Sequence, residues 1–312
     1  MARATDEAEA AMTVPAALRA RVGTFVAVAR VVAFPASVAL VAVMAVKAAG
    51  DVHGDQLRWG LLAAAAAPTL AWWLLLARGW GLINTGHARR HDLRTWFRTQ
   101  ALRYLPGGIW APVTRAAAVD GHAVDRVATV AAENIVALCA ALAVGGLALG
   151  IAGDLPWLPL VVIAAAPVAA AGLTGSRTRV DRARTRSATV NDLVAFAAYA
   201  AACVLAQAAV SGWHDPLAVA GASALAWAAG LVVVITPGGI GVREVVYVWF
   251  LERHGFVHGE LVAAAVASRL ITIIVELLVL VALGRGPVLT GLHGPSGTDT
   301  GTVCAESAPR GR

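Results

Sequence analysis

The chain contains few charged residues and a single lysine. Of its 312 residues, 14% are charged and 59% are hydrophobic, and the mean hydropathy is +0.71. Soluble domains carry about 25% charged residues, so this composition predicts a polytopic membrane protein. The single lysine, Lys47, is followed by Ala48, whereas a Walker A loop requires Gly-Lys-Ser or Gly-Lys-Thr. ATP hydrolysis through a P-loop of this chain is therefore excluded.

Cysteine and the common catalytic motifs are also scarce. The three cysteines, Cys139, Cys203 and Cys304, show no metal or redox spacing. His254 and His258 are four residues apart but do not belong to an HExxH motif, and no serine occupies a G-x-S-x-G elbow. We therefore expect neither a metal nor a cofactor, and no enzymatic activity.

Arginine supplies almost all of the positive charge. The chain has 25 basic residues, so with Lys47 set aside 24 are arginines, and the net charge is +6. The planar guanidinium binds two phosphate oxygens at once, which favours a phosphate ligand. An arginine-rich genome would produce the same bias, so both interpretations stay open.

Apolar runs of about 20 residues predict membrane-crossing helices. They lie at 24–46, 59–77, 127–151, 157–173, 191–210, 217–236 and 260–284. Residues 1–22 are polar and predict a disordered cytoplasmic arm, and the Gly- and Ser-rich residues 286–312 predict a disordered tail. Residues 23–285 then form one transmembrane domain.

Two arginine-rich segments predict the orientation. Residues 78–103 and 174–190 hold eleven arginines and two acids, and short arginine-rich loops face the cytoplasm. We interpret 78–103 as an interfacial amphipathic helix and 174–190 as a loop. The protein is then a multi-pass protein of the cell membrane with a cytoplasmic N-terminus.

A sequence repeat is the most informative feature. Pro-Gly-Gly-Ile occurs at 106–109 and 237–240, and each copy precedes an apolar helix with the pattern R-x-x-T-x-x-x-E. Pro-Gly-Gly interrupts a helix. The repeat predicts two related units, around 104–145 and 235–285. Each of the segments 104–119 and 237–252 has three possible courses: it enters the membrane and returns, lies on the membrane surface, or crosses the membrane. Seven or eight spans are therefore expected.

The repeat also predicts a polar site. Non-helical backbone at membrane depth survives only inside protein or beside water, and broken helices commonly build transporter sites. The expected breaks are Pro106, Gly107, Gly108, Pro237, Gly238, Gly239 and Gly241. The expected headgroup ligands are Arg115, Glu133, Arg243, Glu244, Arg269 and Glu276.

The arginines suit phosphate, and the glutamates suit cationic headgroup atoms or coupling protons. Three alternatives stay open: surface turns at the Pro-Gly-Gly motifs, helix-packing ion pairs at Glu133 and Glu276, and neutralisation of Arg243 by the adjacent Glu244.

These motifs resemble a known family. The stretch from Leu105 to Ile109 with Arg115 and Glu133, the stretch from Thr236 to Glu244, and Ser268-Arg269-Leu270 are similar to the flippase-like membrane domain of lysylphosphatidylglycerol synthases. The resemblance covers roughly residues 20–285 and implies a helical domain with re-entrant or broken segments that moves lipid between leaflets.

The chain departs from the family pattern in its first unit and in its length. Trp110 and Ala111 stand where the family usually has Gly and Glu, and Asn134 stands where an Arg often follows the glutamate. The synthases carry a soluble aminoacyl-transfer domain after the membrane part, and only about 28 residues follow the last span here. We therefore expect no synthesis of the lipid by this chain.

The sequence thus predicts an all-α polytopic membrane bundle that translocates or binds a phospholipid or a polyprenyl-linked glycolipid. Membrane lipid is the expected partner, and no nucleic acid or ATP is expected. One alternative is a non-transporting subunit that docks a glycosyltransferase or lipid-modifying enzyme. Another is a membrane glycosyltransferase using Asp51 and Asp55 of the short first outer loop.

Overall fold

The computed structural model describes residues 57–104, 110–119, 122–153, 181–233, 237–239 and 241–283, and these residues contain helices and no strand. The predicted spans 24–46 and 157–173, the arm 1–22, the tail 286–312 and the two acids Asp51 and Asp55 lie outside the described residues.

Eight α-helices account for most of the described residues. They are α1 (Trp59–Thr85), α2 (Arg90–Gln100), α3 (Trp110–Ala117), α4 (Ala123–Ala152), α5 (Arg182–Ser211), α6 (Pro216–Val232), α7 (Val242–Leu251) and α8 (His258–Ala282). Short 3-10 turns occupy Ala101–Tyr104, Pro237–Gly239 and Glu252–His254. The predicted all-α class is confirmed for this part of the chain.

Four of these helices are long and apolar enough to cross a membrane. They are α1, α4, α5 and α8, with 25 to 30 residues each, and about 20 residues suffice for a crossing. The predicted span 217–236 corresponds to α6, which has 17 residues and ends at Val232. A membrane protein with several spanning helices is therefore supported.

The arginine-rich segment 174–190 is not the loop that we expected over its described part. Helix α5 begins at Arg182, where the Asp181 side chain accepts a hydrogen bond from the Ala183 amide at 3.1 Å. Such an N-cap starts a helix independently of hydropathy. The apolar pattern marks where the helix becomes lipid-compatible, several residues after the helix itself begins.

The predicted interfacial helix over 78–103 is also wrong, because these residues belong to two different helices. Helix α1 continues to Thr85 and ends at Gly86, whose φ is 79°, as is common at helix C-termini. Only α2 forms a separate helix, and its Trp96 and Phe97 are buried in the bundle. An amphipathic pattern predicts an apolar face, and here that face packs against α1 rather than lipid.

Helix α5 lies at the centre of the bundle, packed against α1, α4, α6 and α8. It runs antiparallel to α1, because the Arg58 amide at one end donates to the Ala209 carbonyl at 3.0 Å. At the other end, a β-carbon on Gly86 would lie 3.1 Å from Arg184 Nε. We call this second end, where α1 finishes and α5 begins, the arginine-rich end.

Helices α4 and α6 approach through glycines. A β-carbon on Gly145 would lie 3.1 Å from the Gly221 carbonyl oxygen, and one on Gly221 would lie 3.0 Å from the Gly145 oxygen. Small residues permit such close contact between helices. The contact sets the second half of α4 beside the first half of α6.

Helices α2 and α3 form a hairpin that doubles back beside α1. The base is held by Asn84, whose side-chain amide donates to Asp92 at 3.2 Å. Further along, the ring centroids of Trp73 and Trp96 are 5.5 Å apart. Helix α3 then returns, since Arg115 lies 5.6 Å from the Trp80 ring, which is closer to the end of α1. We call residues 90–117 the first hairpin.

Helices α6 and α7 form the second hairpin, residues 216–254. Helix α7 packs along α6, and His254 Nδ1 lies 2.7 Å from Asp215 Oδ2. The end of α7 therefore returns to the place where α6 begins, at the opposite end from the arginine-rich end. The course of the segments 104–119 and 237–252 relative to a membrane stays a prediction.

Candidate functional site

The tips of the two hairpins meet inside the bundle. The 3-10 turn Ala101–Tyr104 contacts the turn Pro237–Gly239. Arg103 lies 4.5 Å from the ring centroid of Trp73, near the middle of α1. Arg269, near the middle of α8, reaches the second tip. Both tips therefore lie opposite the middle of long apolar helices rather than at their ends.

The second tip has a backbone that only glycine adopts without strain. Gly238, Gly239 and Gly241 have φ angles of 60°, 71° and 89°, in the left-handed region. Pro237 opens the 3-10 turn at this point. Pro106, Gly107 and Gly108, the corresponding residues of the first tip, lie outside the described residues.

Arg269 and Glu244 hold the second tip in place. Arg269 Nε donates to Glu244 Oε1 at 2.8 Å, and its two terminal nitrogens donate to the carbonyls of Gly238 and Gly239 at 3.3 and 3.4 Å. Glu244 Oε2 accepts from the Gly241 amide at 2.6 Å. Both side chains therefore form hydrogen bonds to the backbone of the non-helical turn as well as to each other.

Glu133 belongs to a buried ion pair that joins α4 to the first hairpin. Its Oε1 accepts hydrogen bonds from Arg115 Nη1 and from Trp96 Nε1, the latter at 2.7 Å. Arg115 also donates to Thr99 at 3.1 Å and to Gln100 at 2.6 Å. The side chain of Arg115 is 4% exposed, so this pair is shielded from solvent.

Glu276 joins α8 to the first hairpin. Its Oε2 accepts from Arg103 Nη2 at 2.7 Å, and the residue is 2% exposed. Arg103 comes from the first hairpin, whereas Glu276 lies on α8. Neither Glu276 nor Glu133 is among the described residues that border the two cavities treated below. The ion-pair alternative for these two glutamates matches the observed contacts.

Arg243 has a different environment. Its guanidinium lies 5.4 Å from the ring centroid of Trp227, and its buried Nε has no hydrogen-bond partner. A β-carbon on Gly230 would lie 2.5 Å from Arg243 Nε, and one on Gly239 would lie 2.9 Å from it. The two glycines therefore make room for this side chain. The adjacent Glu244 bonds Arg269 and the backbone instead.

Two adjoining cavities open around these groups. The larger has a volume of about 100 Å³ and is bordered by Gln100, Arg103, Arg115, Gly239 and Arg243 among others. That is room for about three water molecules at liquid density. The smaller, about 30 Å³, is bordered by Glu244, Ser268 and Arg269. Arg103, Arg243 and Trp72 line both.

Three further side chains of the bundle are not identified by sequence reasoning. No pattern in the sequence pairs Arg103 with Glu276. The amphipathic pattern predicts an interfacial apolar face that includes Trp96, but it does not predict the hydrogen bond of Trp96 to Glu133. Asp192, 2% exposed on α5, accepts a hydrogen bond from Asn191 at 3.0 Å. The rule that an ionisable residue in an apolar helix marks function would have found Asp192.

Among the described residues, no group of three His, Cys, Asp or Glu side chains is placed to hold a metal ion. No protein-family model matches the chain, and no curated protein matches it.

Proposed function

We propose that this protein is a lipid translocator in which two helical hairpins meet at mid-membrane and enclose a site for a lipid headgroup. The observation that supports this most is the meeting of the two hairpin tips beside arginine-lined cavities, opposite the middle of α1 and α8. Backbone that is not helical is tolerated at that depth only inside protein or beside water.

The order of the elements supports two inverted units. Helix α1, the first hairpin and α4 form one set, and α5, the second hairpin and α8 form the other. Since α1 and α5 are antiparallel, the first hairpin enters from the arginine-rich end and the second from the opposite end. Transporters often consist of such inverted repeats, with the substrate site between them.

The proposed topology has six crossings and two re-entrant hairpins, with the spans 24–46 and 157–173 counted from the sequence. The arginine-rich end faces the cytoplasm, as does the N-terminus. In this arrangement α6 is one arm of a hairpin, so the count is lower than the seven or eight crossings expected from hydropathy.

In the proposed mechanism, two ion pairs hold the first hairpin against its neighbouring helices and exchange partners when it moves. Arg103–Glu276 joins the first hairpin to α8, and Arg115–Glu133 joins the same hairpin to α4. Exchange of these partners would let the first hairpin move while Arg269 keeps the second tip closed. A headgroup would enter the cavities while its acyl chains stay in the bilayer.

The test is lipid movement in vesicles that contain the purified full-length protein and a headgroup-labelled phospholipid. Protein-containing vesicles should expose the inner-leaflet label to an external quencher faster than protein-free vesicles. Ser268→Phe should slow this exposure, because Ser268 lines the smaller cavity. Val245→Phe is the matched control, because Val245 is 68% exposed on α7. A wild-type rate equal to that of protein-free vesicles, or an unaffected folded Ser268→Phe protein, would refute the proposal.

One observation favours a second candidate, a docking subunit for a lipid-modifying enzyme such as a glycosyltransferase. Arg89, Arg90, Arg182 and Arg186 are exposed at the arginine-rich end and present a positive surface to an acidic partner. Replacing Arg89 and Arg90 by glutamine should then abolish association with that enzyme and leave lipid movement unchanged.

A further inference from the structure

The charges of the described residues around the two cavities do not balance. The described residues that line them include four arginines, Arg103, Arg115, Arg243 and Arg269. Three of these have a carboxylate partner: Glu276 for Arg103, Glu133 for Arg115, and Glu244 for Arg269. Among the described residues, no carboxylate forms an ion pair with Arg243.

The position of Arg243 makes this imbalance significant. Guanidinium carries five N–H donors and no acceptor, and Arg243 Nε is buried without a hydrogen-bond partner. The Trp227 ring, 5.4 Å away, compensates for the charge only in part. A buried charge that is neither paired nor hydrogen-bonded is unfavourable, so an anion that enters from the cavity would satisfy this side chain.

The described cavity walls offer no free carboxylate to a cation. Among the described lining residues, Glu244 is the only acid, and both of its oxygens already accept hydrogen bonds, from Arg269 and from the Gly241 amide. An ammonium group would meet arginines rather than a free carboxylate.

We propose that Arg243 binds the phosphate of a lipid whose headgroup carries net negative charge, rather than an aminoacylated lipid with a cationic headgroup. This inference rests on the proposed lipid translocation and names its substrate class. The guanidinium fork binds two phosphate oxygens. Gly230 and Gly239, which carry no β-carbon, leave room for the Arg243 side chain at the wall of the larger cavity.

Binding is tested on the full-length protein in a neutral detergent, by thermal unfolding in the presence of three separate probes. The probes are short-chain phosphatidylglycerol, lysyl-phosphatidylglycerol of the same chain length, and inorganic phosphate. Phosphatidylglycerol should raise the unfolding temperature at the lowest concentration. Inorganic phosphate should act only at much higher concentration, because it lacks the acyl chains that stay in the apolar part of the groove.

The variants separate a ligand role from a structural one. Arg243→Gln should raise the phosphatidylglycerol concentration needed for the same stabilisation by about tenfold or more, because one charge-assisted hydrogen bond is lost. Arg243→Lys should retain part of it, because the charge remains. Arg253→Gln is the control, since Arg253 stacks on Trp249 at 3.5 Å, outside both cavities. Without ligand, Arg243→Gln should be as stable as wild type or more stable, because it removes an uncompensated buried charge.

Several outcomes would overturn the inference. They are equal stabilisation by the lysyl lipid, an undiminished effect in Arg243→Gln, and destabilisation of the unliganded Arg243→Gln protein. Full reproduction of the effect by inorganic phosphate would assign the site to a soluble anion instead of a lipid. Binding through Arg243 without lipid movement in vesicles would refute translocation alone and leave this anion site in place.

Discussion

At the scale of single residues, the buried ion pairs tie separate elements together. Desolvation makes a buried pair a weak source of net stability, but removal of one partner leaves the other charge uncompensated. Arg103–Glu276 joins the first hairpin to α8, and the Trp73 ring lies against the same guanidinium at 4.5 Å. The side chain of Arg103 is 15% exposed and lines both cavities. Partial solvation therefore lowers the desolvation penalty of this ion pair.

We expect Glu276→Gln to lower the free energy of unfolding by about 1.5–3 kcal/mol, the range for a hydrogen bond to a charged group. Arg103→Gln should have a similar effect, and the double variant should lose less than the sum of the two, because the pair acts as a unit. Thermal unfolding in detergent measures all three proteins.

The exposed pair His258–Glu252 provides the comparison for this cycle. Its side chains are 69% and 47% exposed, and exposed pairs contribute little. Glu252→Gln should therefore leave the unfolding temperature unchanged. Additive losses in the Arg103 and Glu276 cycle would show that the two side chains do not interact in the folded protein.

At the scale of elements, the second hairpin depends on one unusual residue at its open end. Asp215 has a φ of 34°, the only positive φ outside glycine among the described residues. Its Oδ1 caps α6 by accepting from the Ala218 amide at 3.1 Å, and its Oδ2 contacts His254 at 2.7 Å. One carboxylate therefore starts α6 and holds the end of α7.

Asp215→Ala should be more destabilising than Asp215→Asn. Alanine loses the cap, worth about 1 kcal/mol, loses the His254 contact and is strained at positive φ. Asparagine tolerates the left-handed region and retains a capping oxygen. Amide hydrogen exchange at residues 216–220 should accelerate strongly in the alanine variant and slightly in the asparagine variant. Equal exchange in both variants would exclude the cap as the determinant.

At the scale of the whole molecule, the two hairpins enter the bundle from opposite ends. The second hairpin starts and finishes beside the start of α1, since His254 meets Asp215 and Arg58 meets Ala209. The first hairpin starts beside Arg184 and the end of α1. Each leaflet would therefore have access to one hairpin.

Single cysteines at His87 and Arg186 should be labelled from one side of the membrane and those at Trp213 and His258 from the other. All four positions are exposed. The background should lack Cys139, Cys203 and Cys304. We expect the first pair to be protected from a membrane-impermeant reagent in intact cells. Labelling of Trp213 and His258 from different sides would require the second segment to cross, and would contradict the hairpin.

The helical class and the position of the second break follow from the sequence alone. Low charge and long apolar runs require backbone groups to be satisfied within helices in a membrane, and the described residues include four such helices. Proline followed by glycines cannot continue a helix, and the chain turns at Pro237–Gly239. Helical periodicity also set Thr129 and Glu133 on one face of α4, and both are buried.

Which charges compensate each other depends on how the helices pack in three dimensions. Arg103 belongs to no repeated motif, yet it takes the carboxylate of Glu276, and Glu244 bonds Arg269 rather than its neighbour Arg243. Local sequence spacing specifies which residues share a helix face, whereas an ion pair depends on which helices pack together. The same reason explains α2: an amphipathic pattern predicts an apolar face but does not specify whether lipid or another helix covers it.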